Sequence, residues 1–212
     1  MVRVDLHVHS AASRDCLVPA HRVAARCRAL GLGPVFLTDH DSIAGATQLW
    51  RQEPEQVVIG QEVMTSEGEL IGLFLERELP RGLTPEEAIL QIKAQGGLVY
   101  LQHPYDPYRR RLREDAIERV ADRIDVVEVF NGRADEDANR RAADLCAILG
   151  AAPGAGSDAH TLPELGAVYV EMEPFNGPED FLDRLRRGTI VRRPSRLRLM
   201  VEARLAPAMR RA

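Results

Sequence analysis

The sequence predicts an α/β chain folded as a (β/α) barrel, on three observations. Short β-like apolar runs alternate with helical segments, and repeated βα units imply parallel strands with helices outside them. At least five of those runs end in histidines or carboxylates, and ends so widely spaced in the chain must converge to share one site, as they do at the C-terminal mouth of a barrel. The first run leads into His7-Val8-His9-Ser10, where an open doubly wound sheet would usually carry a Gly-rich phosphate loop.

The elements follow in order. A strand at 2–7 is followed by a helix at 19–31, with Pro19 near its first position and Val23, Cys27 and Leu30 on one face. His21 falls off that stripe and reads as a surface residue. A strand at 35–38 runs into Thr38-Asp39-His40-Asp41, and a helix spans about 43–52. Strands follow at 57–64, carrying Ile59-Gly60-Gln61-Glu62, and at 69–75. Thr84-Pro85-Glu86-Glu87 is a capped helix start before Ile89 and Ile92, with Gly96-Gly97 as its stop. A strand at 98–102 ends in Gln102-His103-Pro104. Helices at 112–122 and 136–149 flank a strand at 125–130. Strands at 154–157, entering Ser157-Asp158-Ala159-His160, and at 168–172 precede a last helix at 178–187.

At 212 residues the chain suits one domain with a sizeable core and is short for two enzyme domains. We read residues 1–195 as the catalytic barrel and 196–212 as a basic C-terminal tail. Residues 184–212 carry ten arginines against one acid, Glu202, and such a segment either meets phosphate backbones or pairs with the acidic body. The formal net charge of -4 argues against indiscriminate attraction to nucleic acid. Cys16, Cys27 and Cys146 are odd in number and lack CxxC spacing, which points away from disulfides or thiolate zinc and toward a cytoplasmic location. Met1 leads straight into the first strand, and no apolar run is long enough to span a bilayer. The expectation is a protein neither exported by that route nor embedded in a membrane, with no obligate protein partner.

Five of the six histidines close apolar runs beside a carboxylate or another histidine. Side chains two apart on a strand share a face, so His7 with His9, or Asp158 with His160, can grip one ion without distorting the backbone. A single histidine after a strand is ordinarily a satisfied polar residue. Five of them with Asp15, Glu62 and Asp158 would leave many buried polar groups unpaired unless a metal joins them. Mixed imidazole and carboxylate donors suit Mn, Zn or Fe better than Mg.

The motifs Asp5-Leu6-His7-Val8-His9-Ser10, Thr38-Asp39-His40-Asp41-Ser42, Gly60-Gln61-Glu62, Gln102-His103-Pro104 and Gly156-Ser157-Asp158-Ala159-His160 span residues 5–160. In content and order they resemble the PHP family (polymerase and histidinol phosphatase). The resemblance implies a distorted (β/α)7 barrel of PHP type that uses two to three divalent metal ions to hydrolyse phosphate esters. It would place His7, His9, Glu62 and Asp158 on a first ion, Glu62 as a bridge to a second ion also held by His103, and Asp15, His40 and His160 on a third. Asp15 stands where some relatives have His. Glu62, Asp158 and His103, around the bridged pair, take the catalytic role. In members with a full trinuclear site a further His follows on the strand after the bridging Glu, and Leu75 of Gly72-Leu73-Phe74-Leu75-Glu76 falls there. That implies a second ion short of one protein ligand, completed by water, substrate or a carboxylate such as Glu76.

Two ions that share a carboxylate are close enough to share a water and lower its pKa, so metal-bound hydroxide is the expected nucleophile. Arg14, Arg109, Arg110, Arg111 and Arg133 lie in loops after ligand-bearing strands, where the planar guanidinium suits phosphate. One or two of them, chiefly Arg133, Arg109 or Arg14, are expected to clamp substrate, with Asn131 as a polar contact in the mouth. Asp39 and Asp41, flanking His40, either orient an imidazole through its free nitrogen or cap the strand end. The function expected is a metal-dependent phosphoesterase acting on a small phosphorylated metabolite, a nucleotide or an oligonucleotide end. Two alternatives stay open: hydrolysis of a C–N or C–O bond, and a metal-binding regulatory module whose catalysis has decayed, for which Leu75 is the one sign. No base-reading or sugar-reading signature in the loops, Tyr105 and Tyr108 included, names the substrate.

Overall fold

The computed structural model describes residues 1–193, and those residues form nine strands and six helices. In chain order they are β1 (Val2–Val4), α1 (Ala20–Leu30), β2 (Val35–Leu37), α2 (Ala44–Trp50), β3 (Val57–Thr65), β4 (Gly68–Leu73), α3 (Pro85–Lys93) and β5 (Leu98–Leu101). There follow α4 (Glu114–Val120), β6 (Val126–Asn131), α5 (Glu136–Leu149), β7 (Ala152–Gly156), β8 (Val168–Met172), α6 (Gly177–Arg186) and β9 (Thr189–Arg192). Six strands form one sheet in the order β2-β3-β4-β5-β6-β7, and β1-β8-β9 form a second.

Residues 6–9 join the two. The Leu6 N–H donates to Ala155 O at 3.2 Å, the His9 N–H to Ala159 O at 3.0 Å, and the Thr38 N–H to Val8 O at 2.9 Å. This stretch therefore lies between the ends of β7 and β2, the two edge strands of the six-stranded sheet, and the sheet curls until both edges meet it. For the same reason β1 stops at Val4 and not at residue 7: beyond it the chain leaves β8 for these partners.

Parallel pairing holds for β2–β3, β5–β6 and β6–β7, as the βα alternation predicts. It fails at β4, which is antiparallel to both neighbours, and throughout β1-β8-β9. Only Ser66 and Glu67 separate β3 from β4. Two residues make a hairpin, whereas a parallel return needs a crossover of about a dozen residues or more. Gly68 completes that turn at φ +123°, where a Cβ would also lie 2.2 Å from Arg111 O, so a larger residue is excluded twice over. The strand β9 goes beyond the elements read from sequence; Thr189-Ile190-Val191 is a β-branched run that pairs readily with β8.

Leu6, Phe36, Ile71, Tyr100, Val126 and Ala155 fill the inside of the curl in one buried cluster with Phe181 and Leu185 of α6. Outside, Ile89 and Ile92 of α3, Ile117 and Val120 of α4 and Cys146 of α5 pack on Val99, Leu101 and Val127. Val23 and Cys27 of α1 and Leu49 of α2 cover the β2 side. Ile89 and Ile92 are fully buried, each contributing roughly 1.5–3 kcal/mol, and so fix β5, whose end carries His103.

The helix α3 starts as predicted. The Glu87 N–H donates to Thr84 Oγ1 at 3.2 Å and the Thr84 N–H to Glu87 Oε2 at 2.8 Å, a capping box worth about 1 kcal/mol. His21 is exposed on α1, off the buried stripe. The expected basic tail at 196–212 lies outside the described residues. Among the described residues no helix is long and apolar enough to cross a membrane.

Candidate metal centre

Every expected ligand emerges at one end of the curled sheet. His7 and His9 follow β1, Asp15 lies in the loop before α1, His40 follows β2, Glu62 is inside β3, His103 follows β5, and Asp158 and His160 follow β7. His40 and Glu62 form a parallel bridge. Gly156 lets the segment carrying His7 come close, since a Cβ at 156 would lie 2.3 Å from His7 Cβ. His103 and Asp158 take left-handed backbone at φ +29° and +52°, which costs on the order of 1–3 kcal/mol each. Each is held there by a hydrogen bond, from the His103 N–H to Glu128 Oε2 at 2.8 Å and from the Asp158 N–H to His7 O at 2.9 Å.

Glu62 is the hub. Its Oε2 lies 3.2 Å from His7 Nε2, 3.4 Å from His9 Nε2 and 3.3 Å from His40 Nδ1, while Oε1 lies 3.2 Å from His103 Nε2. Asp158 Oδ1 is 3.5 Å from both His9 Nε2 and His160 Nδ1. Asp15 Oδ2 is 3.4 Å from Nε2 of both His40 and His160. Within this cluster four triads offer ligand atoms all within 4.8 Å of one another: His9, His40 and His160; His7, His103 and Asp158; His7, His9 and Glu62; and His40, Glu62 and Glu69. The structure thus brings all eight expected ligand residues together.

The electrostatics follow from packing acids and imidazoles together. Burial opposes the charge on Glu62, yet His7, His103 and His40 hold its carboxyl well below the usual range. Asp158 is likewise lowered against burial by His7 and His9. Burial opposes a charge on His7, but Glu128, Asp158 and Glu62 outweigh it and raise the ring well above the ordinary imidazole value. For His9 burial wins and the ring is lowered. Burial and the neighbouring Glu62 push Glu69 up to about 7.

The donor set fits divalent cations. Among the described residues His9 Nε2 and His40 Nδ1 are buried without a hydrogen-bond partner, and both face Glu62. Buried polar atoms left so are costly, and cations bound within the cluster would offset that cost. The other nitrogen of His9 is committed, because Nδ1 lies 3.1 Å from Ser13 Oγ, which donates to Asp39 Oδ1 at 2.7 Å. A hydroxyl that gives its proton to Asp39 accepts from His9 Nδ1, which leaves Nε2 a free lone pair toward the cluster. Asp39 therefore orients His9 through Ser13, not His40 as its position suggests. Asp41 ties strands instead: its Oδ1 accepts from the Met64 N–H at 2.8 Å.

Several residues stand elsewhere than expected. Leu75 does not face the cluster; it packs in the outer layer with Leu79, Ile89 and Ile92. The acidic residue that does face it from β4 is Glu69, 3.6 Å from His40, which sequence reasoning passed over. Asn131 is buried beneath the mouth. Its Nδ2 donates to Glu128 Oε2 at 2.9 Å and to Asp158 Oδ2 at 3.5 Å, and its Oδ1 accepts from the N–H groups of Arg133 and Ala134, so its amide is engaged within the protein. Arg111 turns away to Pro104 O and Glu114. Arg14, Arg109, Arg110 and Arg133 do line a cleft of about 430 Å³ over the cluster, with Tyr108 at its edge. Arg109 Nε lies 3.4 Å from Asp158 Oδ2 without a hydrogen bond, and Arg133 Nη1 lies 2.8 Å from His160 Nδ1. A larger cavity of about 1,010 Å³, lined by Trp50, Phe74 and Phe175 among others, contains none of these ligands.

The chain is similar to several known proteins. The PHP-associated family matches residues 136–190. Two uncharacterized proteins of Methanocaldococcus jannaschii are similar to the chain, one 39% identical over 61% of this chain and 82% of its own length, the other 34% identical over 87% and 79%. Among solved structures, a two-domain protein from Bacteroides vulgatus containing a predicted PHP-like metal-dependent phosphoesterase is 19% identical, with a TM-score of 0.72 over 91% of this chain and 65% of that one. A lesion-specific endonuclease from Pyrococcus furiosus is 19% identical, with a TM-score of 0.63 over 89% and 57%. An amidohydrolase from Chromobacterium violaceum with bound sulfate is 18% identical, with a TM-score of 0.64 over 89% and 97%.

Proposed function

We propose that the chain is a PHP-type metal-dependent phosphoesterase, supported by its motifs and by the PHP-associated match at residues 136–190, hydrolysing a phosphate ester of a small metabolite, a nucleotide or an oligonucleotide end. One observation carries the reading: a single carboxylate, Glu62, meets four imidazoles within 3.4 Å at the floor of a cleft rimmed by arginines. His7, His9, Glu62 and Asp158 would hold one ion, Glu62 and His103 a second, and Asp15, His40 and His160 a third. Glu69 would supply the further donor that the resemblance implies on this strand. Mn, Zn or Fe held by such ligands would lower the pKa of a water and offset negative charge on a phosphoryl group.

The chain's own residues do the rest. Arg109 and Arg133, on either side of Asp158, bind the non-bridging phosphoryl oxygens through their planar forks. Glu62, Asp158 and His103, packed against their neighbours, hold fixed positions, so little reorganisation accompanies reaction. With Leu75 in the outer hydrophobic layer, the one sign of a decayed regulatory module is gone. Cleavage of a C–N or C–O bond stays as the second reading, favoured by the likeness to an amidohydrolase.

A screen of phosphorylated compounds, with the protein loaded in turn with Mn, Zn and Fe, should find chelator-sensitive hydrolysis. Reaction in ¹⁸O-labelled water should place the label on phosphate. Label in the alcohol product alone would mean C–O cleavage and would replace the first reading by the second.

A further inference from the structure

Glu128, in the middle of β6, has a fully buried carboxylate that lines no part of the cleft. Its Oε1 lies 3.1 Å from His7 Nδ1 and accepts from the Tyr100 hydroxyl at 2.9 Å. Its Oε2 accepts from the His103 N–H at 2.8 Å and from Asn131 Nδ2 at 2.9 Å. Burial and Glu128 keep Tyr100 protonated to well above its usual range, so the hydroxyl stays a donor. A carboxylate only accepts. Once the ring is neutral, as cation binding requires, His7 therefore keeps its proton at Nδ1, and its one lone pair falls on Nε2, the atom that faces Glu62 and Asp158.

We infer that Glu128 is a positioning residue that sets the His7 tautomer and so decides whether His7 can ligate a cation. The inference rests on the reading of His7 as a metal ligand. Glu128 also reaches two other ligand-bearing loops, through the His103 N–H and through Asn131, whose Nδ2 lies 3.5 Å from Asp158 Oδ2.

Glu128→Gln separates this role from packing. The amide keeps the shape but must point its NH2 at one of the two donor pairs. On the Oε2 side it meets a backbone N–H, which cannot reverse. On the Oε1 side it meets a hydroxyl that can rotate and a ring that can accept at Nδ1 once its proton moves to Nε2. The amide settles toward His7, and the nitrogen facing the cluster is blocked.

The test uses the full chain and zinc. Long-range ¹H–¹⁵N spectra of histidine-labelled, zinc-loaded wild type should show His7 protonated at Nδ1 and bound through Nε2. Glu128→Gln should melt near wild type but bind zinc about 10–100-fold more weakly, while Tyr100→Phe, which removes a donor from the same oxygen and leaves the His7 bond, should lose much less. Unchanged zinc affinity in a folded Glu128→Gln, or equal losses in both variants, would overturn the inference. If Glu128→Gln does not fold, an unprotonated Nδ1 in wild type would overturn it alone. Wild type that binds no zinc would sink the metal reading first and this one with it, so the two failures are distinguishable.

Discussion

Glu69 Oε1 lies 3.6 Å from Nδ1 of His40, although Glu69 sits on the antiparallel strand β4 and His40 follows β2. Glu69 is buried beside Glu62, which pushes its carboxyl up to about 7. A cation between Glu62 and Glu69 would remove that repulsion. Opposite Glu69 the register places Met64, and opposite Glu62 it places Ile71.

Glu69→Ala should therefore release one ion on dialysis well before the others, measured as metal content against time. Leu75→Ala should leave metal retention unchanged and destabilise the fold by about 2–5 kcal/mol, the usual cost of truncating a buried leucine. Leu75→His should also destabilise, without improving retention. Early ion loss in Leu75→Ala with full retention in Glu69→Ala would reverse the assignment.

Metal affinity should rise with pH beyond the ordinary imidazole range. Burial opposes charge on His7 and His103, but Glu128, Asp158 and Glu62 raise the first and Glu62 raises the second. A ring must lose its proton to bind a metal, so a raised pKa moves the competition with protons to higher pH. Zinc titration by calorimetry in buffers of different ionisation heat should show proton release that persists as pH rises above the ordinary imidazole range. Affinity independent of pH above that range, with no proton released, would contradict it.

Arg109→Glu or Arg133→Glu should raise KM for anionic substrates more than about tenfold by placing a repelling charge at the clamp. Arg111→Glu should have little effect, because its guanidinium is turned toward Pro104 O and Glu114. Steady-state kinetics on any phosphorylated substrate found in the screen decides it, and equal effects at positions 109, 111 and 133 would mean that the cleft senses only overall charge.

The histidines and Asp158 were legible because they close apolar runs, and a period of two tells which face such residues share. The hairpin at Ser66-Glu67 was also written locally, but the alternation of strand and helix masked it. Leu75, Glu69 and Asn131 depended on something not local. Glu69 and Leu75 are six apart and would share a face of an unbroken strand, but β4 ends at Leu73 and Phe74 takes left-handed backbone at φ +60°, which turns Leu75 into the outer layer. Glu128 was hidden inside Val126-Val127-Glu128-Val129-Phe130, although a lone acid in an apolar strand is itself a sign of a buried partner. Ser13 carried no signal until the fold placed it between His9 and Asp39.

Glu62 as the shared ligand is tested most directly by counting ions. Metal analysis of reconstituted, dialysed protein should find about two to three divalent ions per wild-type chain, one fewer in Asp15→Ala, and at most one in Glu62→Ala, with phosphoester hydrolysis lost. Wild-type protein that retains no ion, or Glu62→Ala that retains the full complement, would contradict a metal centre built on Glu62.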